Sequence, residues 1–104
     1  MHFSVLAKFM TSMSKLIGKR VIGANAYALG EINGADVDTV KWQVTHLHVS
    51  LTDEATRELG FKKPFMGSVT ACLPVPLIQA VGDVITLNKG INELRDVVEP
   101  KKHG

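Results

Sequence analysis

A single cysteine, Cys72, stands among 104 residues, so no disulfide within the chain can staple the fold. A four-ligand zinc centre would have to be assembled from Cys72 and four scattered histidines. No apolar run exceeds a few residues, far short of the roughly 18 to 20 that span a bilayer, and no transmembrane segment is expected. The opening residues make a poor secretory signal, because Lys8 interrupts any apolar stretch and no small-residue cleavage motif follows. The expected compartment is the cytosol. Phosphate loops of the GxGxxG or GxxxxGK kind do not occur, nor does an internal repeat or a low-complexity tract.

What is present suits one globular domain. Hydrophobic residues make up 45% of the chain and charged residues 21%, enough to bury a core and to exclude a disordered or collagen-like polymer. The net charge is only +2, and its distribution weighs against a nucleic-acid surface. Residues 1–20 carry Lys8, Lys15, Lys19 and Arg20 with no acid, whereas residues 21–58 hold six acids against Lys41 and Arg57. Duplex binding calls for a contiguous basic stripe that neutralises several phosphates. Here the best candidates are the pairs Lys19-Arg20 and Lys62-Lys63, which read more simply as solvated surface.

Glycine and proline punctuate the chain at intervals that suit short strands. Between Gly67 and Pro76, Val69, Ala71, Leu73 and Val75 alternate with Ser68, Thr70, Cys72 and Pro74, which predicts a half-buried strand ending near Pro74. In Trp42 to Leu51, Leu47, Val49 and Leu51 share one face, and Trp42 and Val44 share the other with His46 and His48. Asp83 to Leu87 is a further strand. Within Glu31 to Asp38 the apolar positions change face, and Asn33-Gly34 is where a bulge would restore them. Thr52 is placed to cap a two-turn helix with Asp53 and Glu54 in its first turn, Arg57 later, Gly60 at its end and Phe61 folding back. Pro76 to Gly82 suggests a second helix, and Ile91, Leu94 and Val98, stopped by Pro100, a third. Lys101 to Gly104 is expected to fray. Phe3, Leu6, Met10, Met13 and Ile17 recur at helical spacing in a basic N-terminal segment.

The run Leu16-Ile17-Gly18-Lys19-Arg20-Val21-Ile22-Gly23, then Leu29-Gly30-Glu31-Ile32, the acidic Asp36-Val37-Asp38 and a strand led by Trp42 together are similar to the opening of PRC-barrel domains. Leu59-Gly60-Phe61-Lys62-Lys63-Pro64, Leu73-Pro74-Val75 and Val81-Gly82-Asp83-Val84-Ile85-Thr86-Leu87 resemble the remainder of the stand-alone archaeal members. Residues 16–90 carry the resemblance. Residues 1–15 form an extension, helical or disordered, with Met10 or Met13 as alternative starts, and 91–104 a short helix and tail. Gly34 stands where the family leads one to expect an acid. The resemblance implies a mainly β fold, a small β-barrel with short helices, often dimeric and acting as an adaptor. Family settings include a photosynthetic reaction-centre subunit, a ribosome-maturation factor and archaeal cell-division assemblies, none catalytic through the barrel.

Chemistry offers little. His46-x-His48 puts two imidazoles on one strand face at a spacing that metal sites use, but the other histidines, His2 and His103, lie near the termini. Both rings are therefore read as solvent or interface groups, and neither metal nor cofactor is expected. Cys72 lacks an evident base, and Asp36 and Asp38 read as exposed acids on a strand near a turn. No enzyme is expected. Association is the better reading: Trp42, Val44, His46 and His48, with Phe61, Phe65 and Met66 around the Lys62-Lys63-Pro64 turn, supply the side chains that interface centres favour. A competing reading has Trp42 and Phe65 complete the core. The expected function is a homodimeric adaptor for protein partners; the alternative is an RNA- or ribosome-associated factor using Lys19, Arg20, Lys62 and Lys63.

Overall fold

The computed structural model describes residues 10–101. One helical turn, α1 (Met13–Leu16), leads into β1 (Arg20–Ile22), and β2 (Ala28–Asp38) and β3 (Gln43–Leu51) follow as a long hairpin. Helix α2 (Asp53–Glu58) precedes β4 (Thr70–Pro74) and a 3₁₀ turn at Val75–Leu77. The chain closes with β5 (Ile78–Val81), β6 (Ile85–Leu87), helix α3 (Ile91–Leu94) and the two-residue β7 (Glu99–Pro100). The strands form one seven-stranded sheet in the order β5-β6-β1-β2-β3-β4-β7. β1 and β6 run parallel, and the other neighbours are antiparallel. The fold is mainly β, a strongly curled sheet shaped as a half-barrel with short helices, as the patterning predicts.

The curl has local causes. Ile32 pairs with Val49 but Gly34 with His48, so Asn33 is an extra residue at the step where the pattern asks for a bulge. Further register shifts fall at Val21/Ile22, Asp36/Val37 and Ile78/Ala80, and each bends its strand and adds twist. At Gly30 the neighbouring strand comes so close that an added Cβ would overlap the Ser50 carbonyl oxygen.

The concave face is the core. Val21, Leu29, Ile32, Leu47, Val49, Leu51, Ala71, Leu73, Ile85 and Leu87 are buried there, each large aliphatic side chain stabilising the fold by about 1.5–3 kcal/mol. Helices cover the face: Ala55 and Leu59 from α2 and its end, and Ile91, Leu94 and Val98 from α3 and beyond. Thr52 Oγ1 accepts from the Ala55 amide at 3.0 Å, as its capping position predicts. Gly60, at φ +77°, ends α2, and the Phe61 amide donates back to the Thr56 carbonyl at 3.0 Å, which turns Phe61 onto the core. Arg95 donates to the Glu58 carbonyl through Nε at 3.1 Å and Nη2 at 2.6 Å, so α3's end is tied to the negative end of the α2 dipole.

Three local expectations are corrected. Pro76 to Gly82 is not a helix: after one 3₁₀ turn the chain extends as β5, because Ile78 and Val81 pair with Leu87 and Ile85. Lys101 is not frayed, since its amide donates to the Thr70 carbonyl at 2.7 Å; residues 102–104 lie outside the described part. The N-terminal helix is one turn among the described residues, with Met10, Met13 and Ile17 exposed, while Phe3 and Leu6 lie outside them. No described helix is long and apolar enough to cross a membrane.

Candidate functional site

The β2–β3 hairpin outruns its neighbours. β1 pairs with β2 only between Ala28 and Glu31, and β4 pairs with β3 only between His46 and Ser50. Among the described residues, 37–45 therefore have no third strand beside them. Asp38 Oδ1 holds the turn, accepting from the amides of Val40 at 2.9 Å and Lys41 at 3.2 Å. Trp42 follows in the left-handed region at φ +55°, a conformation that costs a bulky residue energy, so β3 starts one residue later, at Gln43.

This geometry leaves apolar side chains in water. Trp42 is 76% exposed and Val40 88% exposed, and the directly opposed pair Val37 and Val44 is exposed beside them. The reading in which Trp42 completes the core does not hold. Val37 and Val40 belong to this patch as well, and only the length of the unflanked hairpin identifies them.

Phe61, Phe65 and Met66 do not join it. Phe61 packs partly against the core, while Phe65 is fully exposed and Met66 is 79% exposed, so Phe65 does not complete the core either. Their loop leaves α2 at Gly60 and returns where the Leu51 amide donates to the Val69 carbonyl. That is the Leu51 end of β3, about 26 Å along the strand from Gln43 at ~3.3 Å per residue.

Beyond the patch, the face turned away from the core carries polar side chains. Gly34, His48 and Cys72 lie in one cross-strand row, and Asp36, His46 and Pro74 in the next. His48 Nε2 and Asp36 Oδ1 are 2.9 Å apart, and His46 Nδ1 lies 4.0 Å from Asp36 Oδ2 and 2.9 Å from Thr45 Oγ1. His48 is only 7% exposed although it points away from the core, because its ring rests on Gly34, where any larger residue would fill the space. Burial pushes the Cys72 thiol up from its ordinary value, and Asp36 adds to the effect; a nucleophilic thiol needs the opposite shift. The sequence signals the two histidines but not their partner, since Asp36 meets them only in the β2–β3 register that lies between the shifts at Ile32/Gly34 and Asp36/Val37.

Two of the four basic groups considered for nucleic acid are already engaged. Lys63 pairs with Asp53 at 2.9 Å, and Lys19 donates to the Gly82 carbonyl oxygen. No protein-family model matches this chain, and a search of curated proteins finds no match.

Proposed function

We propose that the chain is a non-enzymatic interaction module of the cytosol that pairs with a second copy of itself through the tip of the β2–β3 hairpin and docks into a larger protein assembly. One observation carries the reading: Val37, Val40, Trp42 and Val44 are all exposed within eight residues of a hairpin tip that no other strand flanks among the described residues. An exposed tryptophan is the side chain that interface centres favour, and the three valines extend the apolar surface around it. The curled sheet supports the PRC-barrel resemblance, from which the dimeric adaptor and the cell-division setting come. A phosphate-binding surface is less favoured, because Lys19 and Lys63 have intramolecular partners.

Sedimentation of the full chain over a range of concentrations tests the pairing. The expected result is a monomer–dimer equilibrium that Trp42→Ala weakens by about ten-fold or more and that salt barely changes. A monomer at every concentration overturns it. For the assembly, partners captured from the native cells should survive nuclease; loss of every partner overturns the adaptor in favour of an RNA-associated factor.

A further inference from the structure

We infer that Asp36, His48 and Cys72 form a zinc-binding site on the outer face of the sheet, with His46 as its fourth donor. This inference is independent of how the hairpin pairs. The β2–β3–β4 register brings together three side chains from three strands, and their donor atoms all lie within 4.8 Å of one another. A tetrahedral zinc ion with bonds of about 2.0 to 2.3 Å separates its ligand atoms by about 3.3 to 3.8 Å. Fitting an ion therefore asks the wider spacings to close and the 2.9 Å His48–Asp36 pair to open slightly.

The donors suit zinc. Thiolate, imidazole and carboxylate are all zinc ligands, whereas sulfur and nitrogen donors disfavour calcium and magnesium. Charge also balances, since one thiolate and one carboxylate neutralise a divalent ion while both imidazoles stay neutral. His48 is the pre-set member: it is buried, lies on Gly34 and has Nε2 aimed at the Asp36 carboxylate. His46 is the adjustable one, half-exposed and already facing the same carboxylate at 4.0 Å. The plainer role for the pair is a histidine–aspartate hydrogen bond with no ion, and experiment separates the two.

Cobalt(II) is the probe, added to the full reduced chain. Cys72 is the one cysteine of the sequence, so a sulfur-to-cobalt charge-transfer band reports on it alone. The expected result is that band, with the intensified visible absorption of tetrahedral cobalt, saturating at one ion per chain and displaced by zinc. Cys72→Ser should abolish the band. Asp36→Asn and His48→Gln should each weaken binding by about ten-fold or more, and replacing His2 and His103 by Asn should leave it unchanged. Asp36 is half-exposed, so its variant remains informative if His48→Gln fails to fold. Absence of the band, equal affinity in Asp36→Asn, or saturation at one ion per two chains overturns the site; the first result leaves the hydrogen-bonded pair as its whole role.

Discussion

The imidazole of His48 rests on Gly34, with 3.0 Å between Nδ1 and the position a Cβ would occupy there. The missing side chain on β2 is thus what allows a buried ring on the outer face of β3. Gly34→Ala should displace the ring and destabilise the fold by about 1 to 3 kcal/mol, the usual cost of overpacking a closed site. The urea midpoint should fall with an unchanged slope, because the surface exposed on unfolding stays the same. An unchanged midpoint means the ring yields freely.

Trp42 offers a different outcome. It is largely exposed, so Trp42→Ala should change stability by no more than about 0.5 kcal/mol, the range for surface substitutions. As the only tryptophan of the chain, it reports on pairing directly. Its emission should be that of a water-exposed indole in dilute solution and shift to the blue as concentration rises.

Helix α2 is held at both ends by local chemistry. Thr52→Ala removes the acceptor for the Ala55 amide and should cost about 1 kcal/mol. Gly60→Ala places a Cβ at φ +77° and should cost about 1 kcal/mol as well. Thermal unfolding of the two single variants and the double variant checks both values. The residues cap opposite ends with no shared partner, so their effects should add.

Tyr27 predicts an alkaline limit. Its hydroxyl is buried without a hydrogen-bond partner among the described residues, and burial first, then Glu54 and Glu58, push its pKa up from the ordinary 10.0. The unfolded chain therefore loses this proton more readily than the folded one. The associated stability is complete below pH 10.0 and is lost as pH rises through the higher folded pKa. Tyr27→Phe should flatten the fall of stability above that pH relative to the parent chain, and cost little or nothing at neutral pH. Tyrosinate absorbance is unambiguous here, because the chain has one tyrosine. An equal alkaline slope in both proteins refutes the assignment.

Short-range chemistry was open to reading from residue order alone. The alternation of Val69 to Val75, the cap at Thr52, the stop at Gly60 with Phe61 turned inward and the helical spacing of Ile91, Leu94 and Val98 are set by residues a few positions apart, and the change of face that marks the bulge at Asn33 lies within β2 itself. β5 carries a helix-like signal in its own residues, and its extended form depends on β6, which lies later in the chain. The same limit governed the surfaces. Whether Trp42 is core or exterior depends on how far β1 and β4 extend beside the hairpin, and no pattern within β3 contains that. Asp36, His48 and Cys72 come together only after two bulges reset the β2–β3 register and β4 joins the other side of β3. Local preferences decide what each segment becomes; strand order and register decide which side chains meet, because pairing is long-range and a single extra residue shifts every contact beyond it.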